Sequence, residues 1–153
     1  MALDLEPGGL DRDDVQALLA EHLSDMFATS PAESVHALDL DALRDGAISF
    51  WTASEDGRLL GCGALKDLGD GHGELKSMRT TAEARGRGVA TALLTHLVAT
   101  ARSRGFTRLS LETGTEPYFA AARRLYVRHG FEPCEPFGDY VLDPHSVFLT
   151  RAI

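Results

Sequence analysis

The apolar positions along the chain repeat with helical spacing in some stretches and alternate as in strands in others. Helical spacing predicts one helix over residues 15–27, with Asp11 as its N-cap, and another over residues 89–101. The capping box SPAE, with Pro at the first helical position, opens residues 30–45 and predicts a helix there. Residues 117–129 form a fourth helical pattern, which a glycine ends. We therefore expect four helices.

Between the predicted helices lie runs rich in β-branched and aromatic residues, bounded by glycine-containing turns. The predicted strands are residues 2–5, 47–54, 58–66, 74–80, 107–112, 131–136 and 146–151. Glu-Asp-Gly at 55–57 is a hairpin signal, and GDGHG at 69–73 is another turn. Because no repeat or linker-like stretch divides the chain, residues 1–153 are predicted to form a single domain that mixes helices and strands.

The chain is acidic overall, with a net charge of −8 and a pI near 5.1. Such a charge argues against nucleic acid or an anionic membrane as a partner. The charge is unevenly distributed, because residues 1–76 carry a net −11 whereas residues 77–153 carry a net +3. Within residues 76–108, seven basic side chains are opposed only by Glu83. This basic segment is either a solvated helix face or a pocket for a small polyanion.

The two cysteines and six histidines show no spacing typical of a metal site. Cys62 and Cys134 are therefore predicted to be unpaired thiols, and no metal is predicted. His22 and His36 are predicted to pack in the core or on the surface, with contact to a substrate as the alternative. The acidic N-terminus lacks a signal sequence and no run of 18 apolar residues occurs, so we expect a cytoplasmic protein without membrane contact.

The sequence RGRGVA at 85–90 connects a predicted strand to a predicted helix. Glycines allow the backbone to approach a ligand closely, and the unpaired N–H groups at a helix start favour an anion. A plain loop that caps the helix is the alternative. The segment is not a dinucleotide-binding GxGxxG motif, because Thr91 replaces the third glycine. It is not a P-loop either, because no Gly-Lys-Ser/Thr follows.

Two motifs, which stand 32 residues apart, carry a resemblance to a known family. The pattern [Arg/Gln]xxGx[Gly/Ala] is matched by Arg85, Gly88 and Ala90. The pattern AlaxxLeuTyrxxxGlyPhe is matched by Ala122, Leu125, Tyr126, Gly130 and Phe131. These are motifs A and B of the GCN5-related N-acetyltransferases (GNAT), and the chain resembles small bacterial members of that family. The resemblance covers residues 62–131 well.

The resemblance implies an α/β fold of three layers. A mixed central sheet, flanked by about four helices, would be splayed between its fourth and fifth strands, here residues 74–80 and 107–112. Acetyl-CoA, a co-substrate, would lie in the opening. The pantetheine arm would pair with the backbone of Met78, Arg79 and Thr80. The pyrophosphate would lie on the backbone amides of Arg85, Gly86, Arg87, Gly88, Val89 and Ala90.

The resemblance also implies catalytic residues. Glu74 stands eleven residues before Arg85, the offset of the catalytic glutamate in histone-acetylating members, which makes it the expected general base. An exposed carboxylate without a role, or a water chain as the base, is the alternative. Tyr126 would protonate or hydrogen-bond the CoA sulfur, with simple packing as the alternative. The oxyanion donor would be a backbone N–H near Met78. Phe119 replaces a frequent Asn, so one contact to the CoA arm differs from the family pattern.

The function implied by the resemblance is an acetyl-CoA-dependent N-acetyltransferase. An amine of a small molecule or protein would attack the thioester directly, without a covalent enzyme intermediate. The alternative is a CoA-binding regulatory or interaction module with little or no catalysis. The sequence leaves open the acceptor amine and the choice between acetyl and another short acyl group. It also leaves open the oligomeric state, for which a homodimer is the commonest arrangement among soluble oligomers.

Overall fold

Seven strands form one mixed sheet in the computed structural model, which describes residues 2–153. The strands are β1 (Asp4–Pro7), β2 (Ile48–Glu55), β3 (Arg58–Gly69), β4 (His72–Thr80), β5 (Arg108–Gly114), β6 (Glu132–Pro133) and β7 (Ser146–Ala152). Their order across the sheet is β1-β2-β3-β4-β5-β7-β6. The β4–β5 pair is parallel, and the other neighbours are antiparallel. The sheet is therefore mixed, as the resemblance implied.

Helices cover both faces of the sheet. They are α1 (Asp13–Thr29), α2 (Leu40–Leu43), α3 (Val89–Ser103) and α4 (Ala120–Arg128), with 3-10 turns at Ala32–Ser34, Ala82–Ala84 and Pro117–Phe119. On one face, α1 and α2 bury Val15, Leu18, Leu19 and Leu43 against β2 and β3. On the other face, α3 and α4 bury Leu94, Leu97, Val98 and Leu125 against the sheet. Two helical layers thus enclose the sheet, which confirms the three-layer fold. Within residues 2–153, every helix is too short or too polar to cross a membrane.

The helix predicted over residues 30–45 does not form as one element. The Ser30 hydroxyl, which a capping box would direct to its own helix, donates instead to Glu116 at 3.4 Å. Only the 3-10 turn Ala32–Ser34 follows, and the chain is then non-helical until α2, which Asp39 caps by accepting from the Ala42 N–H at 2.8 Å. Tertiary hydrogen bonding has overridden the local capping signal.

A second tertiary contact explains why the helix stops so early. The buried Ser34 hydroxyl donates to Asp143 at 2.6 Å, on the loop before β7. The non-helical backbone beyond it brings the His36 ring edge-on to Tyr140, with 5.0 Å between the ring centroids. Residues 34–37 therefore line a cavity, and a continuous helix over residues 30–45 would direct the backbone elsewhere.

Other boundaries differ in smaller ways. The N-cap of α1 is Arg12 rather than Asp11, whose carboxylate instead pairs with Arg44 at 2.8 Å. The strand predicted over 131–136 shortens to β6, because Pro133 and a second proline at 136 have no N–H to donate to a strand partner. The predicted strands otherwise appear with shifts of a few residues at their ends.

The sheet opens between β4 and β5. These strands pair only at their first residues, from His72 with Arg108 to Glu74 with Ser110. A bulge then bends β4 at Ser77, whose φ is +54°, while β5 continues along β7 as far as Gly114. The two strands are unpaired beyond Glu74 and Ser110, which confirms the splay between the fourth and fifth strands.

Candidate active site

Two cavities meet where β4 and β5 separate. A groove of about 650 Å³ lies between the end of β4, the loop before α3, and α4. A smaller inner pocket of about 120 Å³ lies deeper, between β4, β5 and the segment 34–37. The residues that line both cavities are His22, Met26, Met78, Phe119, Ala122 and Tyr126. These six residues define the junction at which a ligand in the groove would meet a ligand in the inner pocket.

One wall of the groove is the end of β4, where Met78, Arg79 and Thr80 lie. Arg79 and Thr80 pair with β3 on one side, and within residues 2–153 no strand pairs with them on the other. That edge presents main-chain donors and acceptors to the groove. The Arg79 side chain donates to Tyr118 at 2.7 Å and to Asp25 at 2.6 Å. An extended ligand can therefore pair with the backbone of β4.

The segment RGRGVA, which is predicted to bind a phosphate group, has the backbone conformation that a phosphate-binding loop requires. Gly86 and Gly88 have φ of +77° and +82°, a region that L side chains rarely adopt. Gly88 is the N-cap of α3, so the first N–H groups of this 15-residue helix have no partner within it. The loop residues that line the groove are Arg85, Gly86, Gly88, Val89 and Ala90. Arg87 is absent from the lining and pairs with Glu55 at 3.3 Å.

Two basic residues in the groove are missing from the sequence prediction. Arg124 and Arg128, one helical turn apart on α4, line the wall opposite β4. Both are exposed, and Arg85 is exposed on the loop across from them. The only sequence signal was the position of these arginines beside motif B. Positive charge therefore lies on two sides of the groove.

Tyr126 lies at the junction of the two cavities, as motif B predicts. Its ring is buried and packs against Phe131, with 5.7 Å between the ring centroids. Burial raises the pKa of the phenol well above its usual value, so the hydroxyl stays protonated at neutral pH. Within residues 2–153 the hydroxyl makes no hydrogen bond. It is therefore a proton donor still available to a ligand.

Phe119 packs against the opposite side of the junction. A side chain at Gly114 would stand 2.3 Å from its ring, so the glycine allows the ring to lie directly on β5. The ring also contacts Tyr118 edge-on. Where many family members present an amide, the structure presents an apolar wall.

Glu74 lies in the inner pocket, held by two donors. Its side chain on β4 is only 4% exposed and accepts a hydrogen bond from Lys76 at 3.1 Å and another from the Tyr140 hydroxyl. Lys76 also donates to the Tyr140 oxygen at 2.9 Å. Burial and the neighbouring Glu74 charge raise the pKa of Tyr140, which keeps its proton on the phenol. The predicted base is thus part of a polar network, which we call the Glu74–Lys76–Tyr140 triad, and both donors reach the same oxygen, Oε2.

Glu112 is a second carboxylate in the same pocket, and no motif of the sequence predicts a role for it. It follows Leu109, Ser110 and Leu111 on β5, an alternation that is typical of a strand with one solvated face. That face is covered by the segment 34–37 and by the loop that carries Tyr140. Burial raises the pKa of Glu112 to about 7.

Three histidines line these cavities. His22 is 7% exposed and lies at the junction, where its Nδ1 has no hydrogen-bond partner in the described chain. Burial lowers the pKa of His22 to about 4, so its ring is neutral at pH 7. His36 and His145 line the inner pocket only. Both predicted histidines, His22 and His36, therefore lie where a substrate could contact them.

The remaining predictions concern metals and thiols. Across residues 2–153, no group of three His, Cys, Asp or Glu side chains is arranged to hold a metal ion. Cys62 is buried and Cys134 is partly buried, and both are free thiols. Burial raises the pKa of Cys62 to about 12, which makes it a poor nucleophile.

Comparison with known proteins agrees with this architecture. The chain is 54% identical over 139 residues to the uncharacterised N-acetyltransferase YedL of Escherichia coli (strain K12), covering 91% of this chain and 87% of the relative. It is 52% identical over 139 residues to the uncharacterised N-acetyltransferase YsnE of Bacillus subtilis (strain 168), covering 91% and 92%.

Solved structures show the same fold. A putative acyl-CoA N-acyltransferase from Klebsiella pneumoniae superposes with a TM-score of 0.79 at 28% identity, covering 98% of this chain and 97% of that one. The model of the Acetyltransferase (GNAT) family matches residues 15–131, a span that includes every residue lining the groove and every residue lining the inner pocket except His145. The chain therefore belongs to the GNAT family and is an acyltransferase that uses acetyl-CoA.

Proposed function

We propose that this protein moves the acetyl group of acetyl-CoA to a primary amine of a small molecule or protein by direct attack on the thioester. One observation carries the proposal: Tyr126 and the unpaired edge of β4 lie where a groove suited to CoA opens into a pocket that holds two carboxylates. The groove supplies proximity, because it would hold the thioester next to the pocket in which the amine is bound.

The groove suggests how acetyl-CoA is held. The pantetheine arm would pair with the backbone of β4 from Met78 to Thr80, as an added strand. The pyrophosphate would accept from the amides at residues 85–90, where the α3 dipole also favours negative charge. Arg124 and Arg128 lie across the groove and would attract the phosphates, a contribution that the sequence analysis did not foresee.

Tyr126 and the backbone of β4 are proposed to act on the reacting thioester. A backbone N–H near Met78 would stabilise the oxyanion that forms as the amine attacks. The Tyr126 hydroxyl would then give its proton to the departing thiolate, which its buried and unpartnered position at the junction favours.

Glu74 is the base that the sequence predicts. In the structure, Lys76 and Tyr140 already donate to one oxygen of its carboxylate, Oε2, and within residues 2–153 no group donates to the other oxygen, Oε1. We therefore propose that Glu74 accepts a hydrogen bond from the acceptor nitrogen and so orients it in the inner pocket. Such a contact would favour a primary amine, whose second N–H remains for proton removal, over an alcohol or a thiol, which has a single hydrogen to donate.

Two measurements test the function. Titration calorimetry should detect acetyl-CoA binding to the folded protein, and an absence of binding would contradict the proposal. Release of free thiol from acetyl-CoA should then be measured with benzylamine, putrescine, spermidine, L-lysine, tryptamine and peptides that carry free amines. Binding without thiol release by any acceptor would instead support the CoA-binding module.

A further inference from the structure

The two carboxylates of the inner pocket have different environments. Glu74 accepts from two donors, Lys76 and Tyr140, and is 3% exposed. Glu112 lies across the pocket on β5, beyond the last residue at which β4 and β5 pair. Within residues 2–153, no donor meets hydrogen-bond geometry at the Glu112 carboxylate. Both Glu112 oxygens are therefore available for a new proton, whereas Glu74 Oε2 is already held by two donors.

The groups around Glu112 come from every element packed on the pocket. Burial is the largest influence and raises its pKa to about 7, and the charges of Glu74 and Asp143 act in the same direction. Lys76 opposes the shift. The Ser146 hydroxyl also opposes it, although that hydroxyl makes no hydrogen bond of standard geometry.

Three further groups at or beside the pocket can titrate or bear charge. His36 and His145 line the pocket, and Tyr140 lies beside it, edge-on to the His36 ring. Burial lowers the pKa of His36 and raises that of Tyr140, so both are neutral at pH 7. His145 lies 3.5 Å from Glu116. His36 and Tyr140 therefore bring no positive charge against Glu112, and a carboxyl whose pKa lies near neutral pH is well matched to proton transfer.

Resting on the proposed function, we propose that Glu112 is the catalytic base, which takes the proton from the attacking amine, and that the Glu74–Lys76–Tyr140 triad positions that amine. The proton passes directly or through one water molecule. Glu112 thereby replaces Glu74, which the family offset predicts as the base.

The step balances as follows. The amine nitrogen forms a bond to the thioester carbonyl carbon, and its N–H becomes acidic as that bond forms. Glu112 accepts this proton and becomes a neutral carboxylic acid. The carbon–sulfur bond then breaks, its electron pair leaves on sulfur, and Tyr126 supplies the proton that completes the thiol. Glu112 returns its proton to solvent and Tyr126 regains one, so no other reactant is required.

Lys76 tunes this base without contacting it. Its charge lowers the pKa of Glu112, so removing it should move the titration of Glu112 to higher pH. Replacing Glu74 by Gln should move it to lower pH, because a negative neighbour is lost. A merely structural role for these residues would produce no such opposite shifts.

The kinetic test compares matched variants with the most active amine of the panel. Glu112→Gln should lower kcat by about 100-fold or more and remove the rise of kcat/KM through pH 7. Glu112→Asp keeps the charge on a shorter side chain and should retain more activity than Gln. Glu132→Gln on exposed β6 is the control and should leave the profile unchanged. Normal kcat and pH profile in Glu112→Gln would overturn the proposal.

A direct titration separates failure of this inference from failure of the proposed function. Carbon-13 NMR of carboxyl-labelled glutamates should show one resonance that titrates near pH 7 and is absent in Glu112→Gln. A Glu112 resonance that titrates near pH 4 would overturn the inference even if the enzyme is active. A protein that binds acetyl-CoA yet releases no thiol with any acceptor would overturn the proposed function, and this inference with it.

Acetyl-CoA binding serves as a control that each variant is folded, independently of its activity. Each variant should bind acetyl-CoA with an affinity near that of the wild type, because Glu112 lines the inner pocket and not the groove. If Glu112→Gln were to lose this affinity, Glu112→Asp would carry the test, since its pH profile should still rise with a shifted midpoint. A flat profile in Glu112→Asp with intact binding would contradict a role for this carboxylate as the base.

Discussion

Lys76 Nζ lies 3.1 Å from Glu74 Oε2, although the two side chains are only 9% and 4% exposed. The residues are two apart on β4 and share one face of the strand, so the pair forms within a single element. A charge pair buried to this degree requires further polar contacts, which the Tyr140 hydroxyl supplies to both partners. The pair places a carboxylate and an ammonium group side by side on the wall of the inner pocket.

Lys76→Met should destabilise the protein by about 3 kcal/mol, because it leaves the buried Glu74 charge with Tyr140 as its one remaining donor. Chemical denaturation at pH 8 measures this loss. The double variant Lys76→Met with Glu74→Gln should recover part of the stability, since the uncompensated charge is then removed. A double variant less stable than the single one would contradict this account.

Tyr126→Phe should lower kcat by about tenfold or more while changing the Kd for acetyl-CoA by less than about twofold, because the hydroxyl acts on the departing sulfur and not on the bound thioester. Steady-state kinetics and calorimetry on the same preparation give both numbers. An unchanged kcat would remove Tyr126 from the mechanism and leave it as a packing residue.

Gly88→Ala should cost about 1 kcal/mol of stability, because Gly88 has φ of +82° at the start of α3. It should also weaken acetyl-CoA binding, since relaxation of this strain would move the amides at the helix start. Thermal unfolding and calorimetry measure the two effects. Gly46→Ala is the matched control: Gly46 has no positive φ and nothing lies within 4 Å of an added Cβ, so its unfolding and binding should match the wild type.

Glu112→Gln should stabilise the protein at pH 8, by about 2 kcal/mol. The pKa of Glu112 in the folded state, about 7, is raised above the usual value near 4.5 of the unfolded chain, so the folded state binds the extra proton. The contribution of Glu112 to the free energy of unfolding is therefore fully present below pH 4.5 and is lost as the pH rises through 7. Urea denaturation from pH 5 to pH 9 should show the wild type losing stability over this range relative to Glu112→Gln. Parallel curves would contradict the raised pKa.

Two local sequence signals had different outcomes in the structure. The helical pattern that predicts α3 depends on residues 89–101 alone, and α3 forms over Val89–Ser103. The SPAE capping box was equally clear, but Ser30 found Glu116, a partner 86 residues away. A local pattern predicts an element reliably only where no distant group competes for the same hydrogen bonds.

The sequence by itself determined the family, the order of the elements and the segments that meet in the groove, because motif residues such as Gly88 and Tyr126 belong to short patterns with fixed spacing. Which carboxylate is free for a proton was decided only by the tertiary structure. Glu74 and Glu112 both lie on strands, and nothing nearby in the sequence distinguishes their ionisation. Burial and distant partners set a carboxyl pKa, and these arise only when β4, β5 and the Tyr140 loop pack around one pocket.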